Sequence, residues 1–295
     1  MQGSSDSSAD RVGALREGKF SRTAHGVAVR RAAHQLFDQP RVLEDPFALP
    51  IIGAEARSKL VSSRKVRSSA ARAFRAFMAA RSRYAEDQLA SAFAQGVKQY
   101  VILGADLDTF AYRNPFPDLR VFEVDHPATQ GWKRKRLQSA GIAVPESMRF
   151  VPVDFERQTL AAALEQGGFD FHLPAFFSWL GVTPYLTRES FVATLSVIAK
   201  MPAGSGVAFD FAVDRKLLNL GQRFALYLLV RRVAAAGEPF QLFFRPAELA
   251  KELRDLGFHR TEILDTQEIN ARYFKDRADG LRVGGGLGQL MSAWV

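Results

Sequence analysis

The residues most able to do chemistry are acids and a glycine at the ends of short apolar runs. Gln99-Tyr100-Val101-Ile102-Leu103 runs into Gly104-Ala105-Asp106-Leu107-Asp108-Thr109. A glycine at a strand end lets the backbone turn tightly against a bound ligand. Asp106 stands where a dinucleotide fingerprint would place its second glycine, and Thr109 where it would place the third. A carboxylate there repels a pyrophosphate, which disfavours NAD or FAD, but costs nothing against a cationic ligand that lacks phosphate. Asp125 follows Gly104 by 21 positions at the end of a second run, close to the spacing at which a carboxylate reaches the vicinal hydroxyls of a ribose. A third run ends in Val153-Asp154-Phe155, where a carboxylate can accept an amino hydrogen while a ring packs on the base. Any one of these acids alone would read as a helix cap or a solvated strand end. Three in order argue against that.

The elements that must position them read as an α/β sheet. Apolar runs recur at residues 99–103, 120–124, 149–153, 175–179, 206–211, 258–264 and 287–295, and helical stretches at 130–140, 159–166, 188–200 and 246–256 separate most of them. Continuous apolar runs fit strands buried on both faces, and alternation with helices implies a mostly parallel, doubly wound sheet. No helical pattern is evident between the last two runs, which predicts an antiparallel hairpin at one edge. Before the sheet, the spacing of Ala24, Val27, Ala28, Arg31 and Ala32, the break at Asp45-Pro46 and the stretch Ser68 to Phe93 predict a helical cap. Residues 214–245, with Leu217, Leu218, Leu220, Phe224, Leu228 and Leu229, form a helical insertion after the fifth strand that could cover the crevice at the strand ends or simply pack there. The expected organisation is a disordered stretch at 1–20 and one domain at 21–295, with the cap at 21–95 and the ligand-binding core at 96–295.

Composition narrows the partners. With 295 residues and no cysteine, disulfides, thiolate metal sites and cysteine nucleophiles are excluded, and a reducing, cytoplasmic setting fits. No apolar run approaches a membrane span and Met1 to Asp10 is polar. The formal charge of +9 invites a nucleic-acid partner, but only Lys133-Arg134-Lys135-Arg136 and Arg64 to Arg75 are dense, and neither carries the interleaved aromatics of a stacking platform. Solvated helix faces or the attraction of an anionic ligand is the preferred reading. None of the five histidines has a metal-like neighbour in sequence, and His126 is the best candidate among them for more than a structural role.

Val101-Ile102-Leu103-Gly104-Ala105-Asp106-Leu107-Asp108-Thr109-Phe110-Ala111-Tyr112-Arg113 resembles the first cofactor motif of the leucine carboxyl methyltransferase family, in its bacterial branch. Phe122-Glu123-Val124-Asp125-His126-Pro127, Val151-Pro152-Val153-Asp154-Phe155 and Ser178-Trp179-Leu180-Gly181-Val182-Thr183-Pro184-Tyr185-Leu186 resemble its later blocks in order and spacing. Asp45-Pro46-Phe47-Ala48 and Arg81-Ser82-Arg83-Tyr84 are similar to its helical section. The resemblance implies a class I methyltransferase on a Rossmann-like seven-stranded sheet, with S-adenosyl-L-methionine as cofactor and a small-molecule methyl acceptor. It places Gly104 under the cofactor, Asp125 at its ribose, Asp154 and Phe155 at its adenine, and Arg81 at its methionine carboxylate, with Arg83 as the alternative. Tyr185 could line the acceptor pocket or be a satisfied core tyrosine, and Trp179 reads as core.

Two positions depart from the pattern. The family's usual residue is glycine at 106 and, in the carboxyl methyltransferase branch, glutamate at 180. Asp106 here would point away from the methionyl part or approach its positive groups, so it could stand in for the charge missing at Leu180. The expected function is O-methylation of a carboxylate or hydroxyl. The alternatives are a cofactor-binding protein that has lost catalysis, and a tRNA methyltransferase. The acceptor and the oligomeric state are not legible.

Overall fold

Seven strands form, those in the middle of the sheet from apolar runs buried along their whole length: β1 (Gln99–Leu103), β2 (Arg120–Asp125), β3 (Met148–Pro152), β4 (Ala175–Trp179), β5 (Gly206–Ala212), β6 (Arg260–Leu264) and β7 (Gly288–Trp294), of which β1, β4 and β5 are buried throughout and β3 and β6 only in part. The computed structural model describes residues 22–155, 157–235, 237 and 239–295, so the expectation for residues 1–20 lies outside the described residues. The strands make one sheet in the order β3-β2-β1-β4-β5-β7-β6. β1 to β5 are parallel, and β7 runs antiparallel to both β5 and β6.

Period-two alternation divides the strand side chains between two cores. Tyr100, Ile102, Val121, Phe176 and Trp294 pack with the cap helices α1 (Arg22–Phe37), α2 (Ala48–Ile52), α3 (Ala54–Ser62) and α4 (Ser69–Ala94). α5 (Pro127–Ser139) contributes Leu137 to the same face. Val101, Phe122, Phe177, Phe209 and Met291 face the other way, toward α6 (Leu160–Gln166), α7 (Arg188–Ile198) and α9 (Pro246–Asp255). The cap thus shares an apolar core with the sheet.

β6 and β7 pair antiparallel at the edge as expected, yet their connection contains a helix, α10 (Thr266–Tyr273). Apolar periodicity does not announce it, since Ile269 is its only buried residue. The readable signal is its cap: Asp265 accepts the N–H of Glu268 while Glu268 reaches back to the N–H of Asp265.

In the basic runs Arg64, Lys65, Arg67, Arg134 and Lys135 are exposed as expected of solvated faces, but two residues turn inward. Lys133 is buried and paired to Glu123 at 2.7 Å. Arg134 lies 3.8 Å over the Phe150 ring, and Arg136 5.8 Å over that of Trp132. Arg75 is buried, with its Nε and Nη2 each 2.7 Å from an Asp38 oxygen. Asp38 Oδ2, the oxygen that Arg75 Nε contacts, also meets His34 Nδ1 at 2.9 Å, while His34 Nε2 accepts the Val42 N–H, so this histidine is structural. Burial raises the Asp38 carboxyl, but Arg75 and His34 outweigh it and hold it low.

The insertion after β5 forms α8 (Leu220–Ala235), tied to the loop before β7 by Gln222 Nε2 donating to Gly285 O at 2.9 Å. Leu218 and Leu226 are buried, but Leu217, Leu220, Phe224, Tyr227 and Leu228 are exposed. Among the described residues no helix is long and apolar enough to cross a membrane.

Candidate functional site

The sheet order reverses between β1 and β4, and ligands of such sheets bind in the crevice beyond the carboxyl ends there. Gly104 follows β1 with a φ of +68°, and a Cβ on it would lie 2.4 Å from Val182 Cγ2. The space a side chain would need is therefore filled by the loop leaving β4, and glycine lets the two loops close together. Asp106 adopts a φ of +39°, in the left-handed region that favours glycine and that aspartate tolerates better than most residues. That conformation is a physical reason for the glycine usual at this position. It also aims the Asp106 N–H at Asp125 Oδ2, 2.6 Å away.

Asp125 ends β2, and its other oxygen accepts the His126 N–H at 2.7 Å. A side-chain hydrogen bond from Thr129 also reaches this carboxylate, which keeps acceptor capacity for a hydroxyl of a vicinal diol. Burial raises this carboxyl, and the two backbone donors only partly offset it. The Val153 N–H donates to Asp125 O at 2.9 Å, which fixes the start of the next loop. Asp154 on that loop pairs with Arg157 at 3.4 Å, and Phe155 beside it is 64% exposed, an aromatic face that a planar base would cover.

Arg81 lies on α4 with its Nη1 3.0 Å from Asp210 Oδ2, and both side chains are almost entirely buried. A Cβ on Gly181, just after β4, would sit 2.8 Å from both Nη atoms, so the guanidinium rests flat against that glycine. Asp210 Oδ1 accepts the Gly181 N–H at 2.5 Å. Arg83, two residues on, points outward and pairs with Asp87 at 2.7 Å, so the structure brings Arg81 and not Arg83 to the strand ends. Sequence reasoning missed Asp210. Its signal was a lone acid inside Gly206-Val207-Ala208-Phe209-Asp210-Phe211-Ala212, a strand otherwise free of charge.

These residues form one line of contacts. It runs from Asp125 through Asp106 to Gly104, across Val182 to Gly181, and on to Arg81 and Asp210. The cap holds the loop after Gly104 from behind. Arg31 Nη2 donates to Leu107 O at 2.7 Å, its Nη1 lies 3.3 Å from Asp108 Oδ2, and Thr109 Oγ1 donates to Asp45 Oδ2 at 2.7 Å. Burial raises the Asp108 carboxyl, but Arg31 and Lys133 pull it below its ordinary range. Beneath Asp125, burial pushes Glu123 up to about 7 against the pull of Lys133.

Tyr185 is half-buried, edge-on to Phe240 at 5.0 Å, with its carbonyl accepting from Gln241 Nε2. His126 caps α5 through Nδ1, which accepts the Ala128 N–H at 3.2 Å. Leu180 packs on the cap core, and Trp179 stacks on Phe191 at 5.5 Å inside the other core. Among the described residues no group of three or more His, Cys, Asp or Glu side chains is placed to hold a metal ion.

Comparison with known proteins places the same segments in context. The model of the leucine carboxyl methyltransferase family matches residues 24–199. YktD of Bacillus subtilis, described as a candidate S-adenosyl-L-methionine-dependent methyltransferase, is 38% identical over 205 residues, covering 68% of this chain and 67% of that protein. A protein of Saccharopolyspora erythraea with the same description is 34% identical over 191 residues, covering 64% and 66%. The matched region thus spans about two thirds of each relative. Two solved structures share the fold. A DUF574-family protein of Streptomyces avermitilis has a TM-score of 0.57 at 16% identity over 92% of this chain and 97% of that one. A candidate methyltransferase of Thermobifida fusca has 0.56 at 16% over 91% and 93%.

Proposed function

We propose that this chain, which belongs to the leucine carboxyl methyltransferase family and is an S-adenosyl-L-methionine-dependent methyltransferase, methylates an oxygen of a small organic acceptor in the cytoplasm. The carrying observation is the unbroken line of contacts from Asp125 to Asp210 along the β1/β4 reversal. The groups on and beside it suit the cofactor: Asp125 has acceptor capacity for a ribose hydroxyl, Arg81 has an incompletely used fork for a carboxylate, and Phe155 offers an exposed ring beside Asp154 for adenine. Gly104 and Asp106 set the turn beneath the cofactor.

When bound, S-adenosyl-L-methionine supplies an electrophilic methyl group on a sulfonium. The protein's share is alignment and exclusion of water. Arg81 would hold the methionyl end of the cofactor and Asp125 its ribose, and the cap latch through Arg31 holds the turn beside them. The contact line contains no histidine, and His126 is occupied as a helix cap. A carboxylate acceptor, already ionised at neutral pH, needs no base, so this favours a carboxylate over a hydroxyl. Tyr185 and the exposed apolar side chains of α8 follow β4 and β5 on the same sheet edge and support an acceptor with an apolar body. The inward use of Lys133 and Arg75 argues against a nucleic-acid acceptor.

Calorimetric titration with S-adenosyl-L-methionine, S-adenosylhomocysteine and NAD, followed by a methyl-transfer screen over carboxylic acids and alcohols, tests this. Binding of the first two but not NAD, with turnover on an acid, is expected. Binding without turnover on any acceptor would favour a protein that only binds the cofactor, and absence of binding would overturn the reading.

A further inference from the structure

Asp210 is a carboxylate in a strand whose other members are Gly, Val, Ala and Phe, every one buried. It is 6% exposed. An acid in such a place must be compensated, and here the compensation is partial by design. Arg81 Nη1 and the Gly181 N–H each occupy one carboxylate oxygen, so each oxygen retains a lone pair. Arg81, flat against Gly181, donates among the described residues to Asp210 alone. The crevice wall therefore carries a cation and an anion 3.0 Å apart, each with hydrogen-bonding capacity to spare.

That pair is the electrostatic complement of an amino-acid end, in which a carboxylate and an ammonium share one carbon. An arginine alone would attract the carboxylate and repel the ammonium beside it. Pairing it with Asp210 removes the repulsion and supplies an acceptor. The neighbouring side chains on the loop after β4, Leu180 and Val182, carry no charge.

We propose that Asp210 binds the α-ammonium group of the cofactor's methionyl end and forms with Arg81 a two-point clamp for the zwitterion. The proposal rests on the reading of Arg81 given above. It assigns Asp210 a role in cofactor selection: adenosine derivatives without an amino-acid end should not profit from it.

The test titrates the full-length protein and Asp210→Asn with S-adenosylhomocysteine, its deaminated analogue and 5′-methylthioadenosine, which lacks the amino-acid end. The variant is expected to bind S-adenosylhomocysteine about tenfold more weakly or worse, and the other two within about twofold of the parent, since a hydrogen bond to a charged group is lost only where the ammonium is present. Unchanged affinity for S-adenosylhomocysteine, or equal losses for all three ligands, would overturn the clamp, the second by showing a merely structural role. Should Asp210→Asn not fold, the parent protein still decides: about tenfold preference for S-adenosylhomocysteine over its deaminated analogue is expected, and preference within about twofold refutes it. A parent protein that binds none of the three refutes the cofactor reading itself, an outcome distinct from a parent that binds all three equally.

Discussion

Gly104→Ala is the sharpest test of how the turn beneath the cofactor is built. The backbone there has a φ of +68°, where an L side chain costs about 1–2 kcal/mol. The new Cβ would also lie 2.4 Å from Val182 Cγ2, far inside contact distance, and pushing the valine aside costs about 1–3 kcal/mol. The single variant should thus lose about 2–5 kcal/mol of stability by the sum of those two costs. Adding Val182→Ala removes the methyl in the way and returns the second cost but not the first. Val182→Ala alone loses about 1 kcal/mol of half-buried apolar contact. Urea unfolding of the four proteins then closes a double-mutant cycle with a coupling of about 1–3 kcal/mol in favour of the double variant. S-adenosylhomocysteine affinity should return with stability, because the Cβ direction faces Val182. Additive effects within about 0.5 kcal/mol, or affinity that stays lost while stability recovers, would refute this account.

Three further perturbations probe the surroundings. Lys133→Met strands Glu123 in the core and should cost about 3–5 kcal/mol. Glu123's folded value of about 7 lies above its ordinary 4.5, so its contribution to stability is full below 4.5 and is lost as pH rises through 7. Without Lys133 that loss deepens, so denaturant unfolding should show a larger penalty at pH 8 than at pH 6; equal penalties would contradict it. Arg31→Ala unfastens the cap from residues 107–109 and should speed amide hydrogen exchange across residues 105–109, whereas unchanged protection there would show that the latch is idle. Phe155→Ala, at a side chain 64% exposed, should leave the melting temperature in place and weaken S-adenosylhomocysteine binding about threefold to tenfold, and an unaltered affinity would remove the ring from the adenine site.

How much was legible follows from where each residue ends up. Strands buried on both faces leave continuous apolar runs, so β1, β2, β4 and β5 stand out, and an acid at the end of such a run, as at Asp125, stands out with them. Asp210 hid because it lies within a run rather than at its end. Arg81 and Arg83 look equivalent in sequence, yet two residues turn a helix by about 200°, so one faces Asp210 while the other faces solvent. The basic stretch on α5 concealed the buried Lys133, whose partner lies on a strand that sequence distance does not reveal. α10 escaped because it buries a single residue, and α8 misled in the opposite sense, its apolar residues lying largely on the outside.

The position of β7 between β5 and β6 governs the order in which the fold can be completed during synthesis. Among the described residues β6 pairs with β7 alone, and all seven residues of β7 register against β5 while Leu290 to Trp294 also register against β6. Of the seven strands β7 is translated last. Without β7, β5, which carries Asp210, presents an open ladder edge and β6 has no strand to pair with, so the wall behind Arg81 is completed by the last strand of the sheet to be made.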